Sequence, residues 1–333
     1  MARLTRRGFV KATGAVAAAP ALVSVALQAR AQPPAPDIGD LRAERDIVFA
    51  RGGDMDMTLD LYRPPEGVES KRMAIIHFFG GGFFGGNKNA GYIINHAKVL
   101  GGLGYTSISA NYRLQTQGSW PAQINDAKAA VRWARANADE IGIDSDKIAV
   151  AGYSAGGMLA LLAAGTNGMA ELEGDGGNND VSSDVTAAIG VYPLASAEIA
   201  TGLWPEGEAT PDAIAAASPR TYIGPNHAPT IIIQGERDTT VTPESSITYW
   251  QGLHEAGVPA ALTMIQGADH AFDNSALDAV DLMGRSVDLF LDRLFVNPEP
   301  YPSFGFGGGG GRGRGGPGRG GPGGPGRGGP GQN

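Results

Sequence analysis

Ile148-Ala149-Val150-Ala151-Gly152-Tyr153-Ser154-Ala155-Gly156-Gly157 is the stretch that decides the fold of this 333-residue chain. Four apolar residues run without alternation into Gly-Tyr-Ser-Ala-Gly, and residues 158–164 follow with helix-forming composition. The order is buried strand, tight turn, helix. In a G-x-S-x-G turn the two glycines, Gly152 and Gly156, leave room for the neighbouring strand and helix and lift the Ser154 hydroxyl clear of the backbone. The following helix aims its N-terminal amides at the place where negative charge would develop during attack by that hydroxyl. A Gly-rich strand-helix turn with an inert serine has the same letters, so the partners of Ser154 must be sought elsewhere.

Outward from this turn, strands and helices alternate. Residues 44–49 and 57–62 read as a leading hairpin around Arg51-Gly52-Gly53-Asp54. Residues 73–79 form a continuous apolar strand that runs into a glycine-rich segment, 80–86; a helix over 92–100 and a strand over 105–110 follow. Pro121 opens an amphipathic helix with Ile124, Ala127, Ala130, Val131 and Ala134 on one face, ending near Ile141-Gly142. Downstream, strands over 186–192, 230–234 and 261–265 are joined by a helix over 245–256, and a final helix runs from about 276 to 295. This alternation predicts an α/β fold with a mostly parallel central sheet and helices on both faces. Residues 194–225, rich in proline, read as a cap-like insertion over the sheet's end. The acidic loop 171–180 lacks the ligand spacing of a calcium loop, so no metal is expected there.

Composition and charge narrow the classes. The chain has no cysteine, which removes disulfide frameworks and thiolate chemistry. The formal net charge is -8, but nine of the 26 basic residues lie in the two terminal segments, where there is no acid. The body between them therefore holds 17 bases against 34 acids, and nucleic-acid binding by the folded domain is not expected. Residues 1–31 resemble a twin-arginine signal peptide: Thr5-Arg6-Arg7-Gly8-Phe9-Val10-Lys11 precedes an apolar run, and Ala29-Arg30-Ala31 offers small residues to a signal peptidase. Cleavage after Ala31 and passage through the Tat export machinery to the periplasm or beyond are the expectation. No permanent membrane span is expected, because the run is Ala-rich, broken by Pro20 and shorter than the roughly 20 residues a span needs. Residues 32–43 read as a linker, 44–300 as the folded domain, and 301–333 as a disordered Gly/Pro/Arg-rich tail.

A serine hydroxyl needs a base to become a nucleophile, and the base needs an acidic partner to fix its tautomer. Of five histidines, His270 sits between the last strand and the closing helix, in a loop at the carboxyl edge of the sheet. His77 is inside a buried strand, His96 and His254 fall on helices where a solvated histidine is the ordinary case, and His227 lies in a loop. His270 is therefore the candidate base. Asp238, after the next-to-last strand, is the candidate acid, with Glu236 as the fallback; Asp269 is expected to point away from the histidine. Ala155 N–H and the Gly80-Gly81-Gly82 amides are candidate donors to an oxyanion. Phe83, Phe84, Tyr192, Trp204 and Phe272 are candidates for lining a substrate pocket.

Phe79-Gly80-Gly81-Gly82-Phe83, Asn111-Tyr112-Arg113, Gly152-Tyr153-Ser154-Ala155-Gly156-Gly157, Gly235-Glu236-Arg237-Asp238 and Asp269-His270-Ala271-Phe272 occur in that order. Together they resemble the α/β-hydrolase esterases of the hormone-sensitive-lipase and acetyl-xylan/feruloyl-esterase-like (BD-FAE) group. The resemblance covers roughly residues 44–295 and implies an α/β-hydrolase fold, Ser154, Asp238 and His270 as a catalytic triad, and Gly81 and Gly82 as oxyanion donors beside Ala155. It also implies a serine carboxylesterase without a cofactor, acting on a small ester or an acylated sugar. The group usually has His-Gly-Gly-Gly; here Phe79 stands at the histidine, which usually braces the oxyanion loop, and His77, two residues earlier, is not expected to replace it. A peptidase or amidase on the same fold, and a non-catalytic envelope-binding protein, are the alternatives.

Overall fold

The structure is a computed structural model and describes residues 39–298. The expected signal peptide, most of the linker and the tail 301–333 lie outside the described residues. In chain order the elements are β1 (Arg42–Gly52), β2 (Met55–Arg63), β3 (Ala74–Phe78), α1 (Gly91–Gly102), β4 (Thr106–Ala110), α2 (Ala122–Ala136), α3 (Ala138–Ile141), β5 (Ile148–Tyr153) and α4 (Ala155–Gly165). They continue with β6 (Ala187–Val191), α5 (Pro211–Ala217), β7 (Thr230–Gly235), α6 (Pro243–Glu255), β8 (Ala260–Ile265) and α7 (Leu277–Leu291). The strands form one sheet in the order β1-β2-β4-β3-β5-β6-β7-β8. β1 and β2 pair antiparallel with each other and β2 antiparallel with β4; every other pair is parallel.

Apolar runs without alternation become central strands because helices cover both faces. β3, β4, β5 and β6 are buried at every position. α1 and α7 pack together on one face, while α2, α4 and α6 lie on the other. α4 is apolar all round and wholly buried, since β5, β6 and α2 surround it. The domain starts earlier than expected: Leu41, assigned to the linker, is buried with Tyr62, Ile94 and Ala97, and β1 begins at Arg42. The closing helix is also shorter, ending at Leu291 and loosening into a π-helical turn over Asp292–Val296.

Strand order reverses between β3 and β5, and in an open α/β sheet the crevice at such a reversal is where ligands bind. The loops after β3, β5, β6, β7 and β8 all leave the same carboxyl edge. This is the α/β-hydrolase arrangement.

Just beneath that edge, His77 on β3 is held between Tyr153 Oη at Nδ1 and Ser107 Oγ at Nε2, each at 3.2 Å. Burial, with a smaller contribution from nearby His96, pushes its pKa down from 6.5 to about 3. An unfolded chain takes up a proton below about pH 6.5 that the folded one refuses until about pH 3. Within that window His77 lowers folding stability as pH falls, by at most about 1.4 kcal/mol per unit. We expect the His77 ring carbons to keep neutral-imidazole NMR shifts from pH 8 down to pH ~4.5. A titration midpoint close to that of a free histidine would contradict this burial.

Candidate active site

β5 delivers Ser154 at φ 53° and ψ -115°, a conformation a non-glycine residue holds at a cost of about 1–3 kcal/mol. The turn is possible because both flanking glycines lack a side chain. A Cβ on Gly152 would stand 1.9 Å from the Gly156 carbonyl oxygen, and one on Gly156 2.0 Å from that of Phe78. Ser154 N–H donates to Val191 O at 3.0 Å, anchoring the turn to β6. Gly156→Ala drives a methyl into backbone that cannot rotate away. It is expected to lose at least about 3 kcal/mol of unfolding free energy in urea titration, or to give no folded protein.

The loops after β7 and β8 bring the other two candidates to the serine. His270 Nε2 lies 3.0 Å from Ser154 Oγ, and His270 Nδ1 lies 2.8 Å from Asp238 Oδ2. The Asp238 carboxylate is buried and fully engaged. Oδ2 also accepts from Gln234 Nε2 at 2.9 Å, and Oδ1 accepts from the Thr240 and Val241 amides at 2.9 and 2.8 Å. Glu236, the fallback, is turned to the surface, where its Oε2 accepts from Gly267 N–H at 2.8 Å. Asp269 corrects the expectation that it points away from the histidine. Its Oδ1 accepts from Thr239 N–H, Thr239 Oγ1 and His270 N–H at 3.0, 3.2 and 2.8 Å, so it ties the acid loop to the base loop. The hydrogen bonds from Thr239 and His270 hold its pKa below the usual carboxylate value.

The glycine loop after β3 folds back on itself, with the Phe84 and Gly85 amides both donating to Gly81 O. Gly81 has φ 131°, and a Cβ there would fall 2.1 Å from Gly85 O, so only glycine fits. Among the described residues no group accepts from the Gly81 or Gly82 N–H, which leaves both free for a ligand. Gly80 N–H donates to Tyr92 Oη at 2.8 Å. Phe79 stacks on Tyr112 with ring centroids 4.1 Å apart, and Tyr112 Oη donates to Phe79 O at 2.8 Å. Two tyrosines thus brace the loop where the resembled group has a histidine, while His77 spends both ring nitrogens elsewhere. The rest of Asn111-Tyr112-Arg113 fastens the same region. Asn111 bonds Thr58 and the Lys88 amide, and Arg113 meets Asp126 of α2 through Nε and Nη2 at 2.8–3.1 Å.

Ser154, His270, Gly81 and Gly82 open on a cavity of about 460 Å³. Of the five aromatic pocket candidates only Tyr192 lines it. Phe83 is fully buried, edge-on to Tyr112; Trp204 is buried in the insertion with its carbonyl accepting from Gln115; Phe84 is 53% exposed outside the cavity. Phe272 lies edge-on against Tyr192 rather than on the cavity wall. The walls are instead Tyr92, Tyr153 and Tyr192, with Leu194 and Ile199 from the insertion. His96 is a second correction. It is buried rather than solvated, because α1 packs against α7 and the short turn Phe272–Asn274. Its Nε2 meets Asp273 Oδ2 at 3.2 Å, while Tyr192 Oη donates to Asp273 Oδ1 at 2.6 Å. Tyr192, at φ 36°, then packs its ring 4.6 Å from that of His270. No motif in the sequence marks Asp273 or Tyr92, and Asn111-Tyr112-Arg113 does not tell which loop Tyr112 braces; a tertiary contact makes each of them part of the site.

A family model described as BD-FAE matches residues 59–253. Esterase LipQ of Mycobacterium tuberculosis is 29% identical over 264 residues, an alignment that takes in 75% of this chain and 62% of LipQ. The chain thus spans a little under two thirds of LipQ. Among solved structures, Thermogutta terrifontis esterase 2 phosphorylated by paraoxon superposes with a TM-score of 0.66 at 28% identity, covering 81% of this chain and 100% of that one. The butyrate-bound form of the same esterase gives 0.64 at 26% identity, over 80% and 98%.

Proposed function

Because the chain belongs to the BD-FAE family, we propose that it is an exported serine carboxylesterase that cleaves acetyl or feruloyl esters of sugars through an acyl-enzyme. One observation carries the reading: Ser154, His270 and Asp238 stand in continuous hydrogen-bond contact, at 3.0 and 2.8 Å, beside two unspent glycine amides. Ser154 Oγ attacks the ester carbonyl as His270 Nε2 takes its proton. Asp238 holds the imidazole with Nδ1–H toward the carboxylate and stabilises the imidazolium. The carbonyl oxygen, now negative, is met by the N–H groups of Ala155, Gly81 and Gly82, each worth roughly 3 kcal/mol in the transition state. His270 gives its proton to the leaving alkoxide, and a water activated by the same imidazole releases the acid and frees Ser154.

The names of LipQ and of Thermogutta terrifontis esterase 2 support an ester as substrate. The direct experiment incubates the purified protein with 4-nitrophenyl acetate, the matching anilide and paraoxon. Ester cleavage, a resistant anilide and a phosphoryl adduct mapped to Ser154 are expected; an adduct on any other residue would remove Ser154 from its role. Export rests on the twin-arginine resemblance, and N-terminal sequencing of the mature protein is expected to begin at Gln32.

A further inference from the structure

The loop that carries His270 is moulded on one side chain from another strand. The Tyr192 ring lies 4.6 Å from that of His270 and edge-on to that of Phe272 at 5.6 Å, and its hydroxyl donates to Asp273 Oδ1 at 2.6 Å. One tyrosine thus meets three of the four residues 270–273. Tyr192 stands directly after β6 at φ 36°, and Ala271, between its contacts, stands at φ 56°. A non-glycine residue persists in such a conformation only where its neighbours fix it, and strain of this kind gathers at functional sites. At Tyr192 the backbone is fixed by its N–H, which donates to Ile233 O at 2.7 Å, and the side chain by Asp273.

Asp273 is fully buried, and both its oxygens are engaged: Oδ1 by Tyr192, and Oδ2 by His96 Nε2 at 3.2 Å. His96 belongs to α1, which packs against α7, so this contact anchors the loop to the body of the fold. Burial first, and then the Asp273 charge, push the Tyr192 pKa well above 10, so the phenol keeps its proton and remains the donor. The base needs such an anchor for a geometric reason. Asp238 holds the His270 side chain at Nδ1, a single point about which the ring can still tilt. Its Nε2 must stay within reach first of Ser154 Oγ and then of the leaving oxygen, and a displacement of about 1 Å can cost a hundredfold in rate. A ring packed against the imidazole removes that tilt. We propose that Tyr192 is a positioning residue for His270, locked in place by Asp273 and His96. The inference rests on the esterase reading and adds which buried groups set the reach of the base.

The test measures kcat and KM for 4-nitrophenyl acetate, per active site titrated with paraoxon. It compares the purified protein with Tyr192→Phe, Asp273→Ala, Asp273→Asn and the double variant Tyr192→Phe with Asp273→Ala. Phenylalanine keeps the ring and drops the hydroxyl, alanine drops the acceptor, and asparagine offers an oxygen to Tyr192 and an NH2 to His96. A loss of about thirtyfold in kcat is expected for Asp273→Ala and about tenfold for Tyr192→Phe. KM should stay within about twofold in both, because Asp273 does not line the cavity and the Tyr192 hydroxyl is turned to Asp273. The double variant should be no slower than Asp273→Ala, since both changes cut one contact, and asparagine should recover most of what alanine loses. A carboxylate that only supports folding would lower the urea midpoint and leave kcat per site unchanged. That result in Asp273→Ala or, should that variant not fold, in Tyr192→Phe overturns the proposal, as do losses that multiply in the double variant. An unaltered protein that neither cleaves the ester nor takes up paraoxon brings down the esterase reading, and this proposal with it.

Discussion

Ser154→Ala is expected to lower kcat toward 4-nitrophenyl acetate by about a millionfold, leaving only what the oxyanion donors and substrate binding supply. The size of the effect follows from how completely the site is organised around one atom. His270 Nε2 has Ser154 Oγ at 3.0 Å as its partner, and with that oxygen gone neither the base nor Asp238 has a nucleophile to act through. Alanine is smaller than serine and keeps the Ser154 backbone bond to Val191, so the fold should be unharmed and the loss should appear in kcat alone. Pre-steady-state burst measurements on the unaltered protein, titrated with paraoxon, give the active fraction against which the variant is read. Residual activity above about one per cent of the unaltered rate, in protein free of contaminating esterase, would mean another nucleophile operates.

Asp238→Asn should be nearly as damaging, at about ten thousandfold in kcat, equivalent to about 5.5 kcal/mol in the barrier. Each oxygen of the Asp238 carboxylate accepts two donors: His270 and Gln234 on one side, the Thr240 and Val241 amides on the other. An asparagine must turn its NH2 toward one pair. Facing the imidazole, it forces the wrong tautomer; facing the loop amides, it breaks the turn that positions His270. Either way a buried donor meets a donor, so a fall of about 1–3 kcal/mol in unfolding free energy should accompany the loss of rate. Full stability together with near-normal kcat would mean that His270 needs no acid partner.

The sequence carried the architecture a long way because apolar runs without alternation, spaced by amphipathic helices, have few ways to bury themselves other than a covered parallel sheet. It carried the candidate trio because topology does the rest: residues that follow parallel strands emerge at one edge, so Ser154, His270 and an acid from the loop after β7 could be expected there, and the structure shows that this acid is Asp238 rather than Glu236. Where it fell short, the cause was packing. The aromatic residues nearest in sequence to the glycine loop, Phe83 and Phe84, turn respectively into the core and out to solvent. His96 has the helical position of a surface histidine, yet α7 lies across its helix and the turn Phe272–Asn274 just before α7 gives it Asp273 as a partner. Asp269 looked idle beside His270 because its link to Thr239 joins residues 30 positions apart.

Local composition thus determined the strand-turn-helix at Ser154, the parallel sheet and the three residues at its rim, since each depends on backbone constraints that neighbouring residues impose. Tertiary structure alone decided what surrounds them: the tyrosines that brace the glycine loop, the buried Asp273 behind Tyr192, and the insertion that walls the cavity over Ser154. Those depend on which side chains meet across separate elements, and the free energy of such contacts belongs to the packed assembly rather than to any one segment.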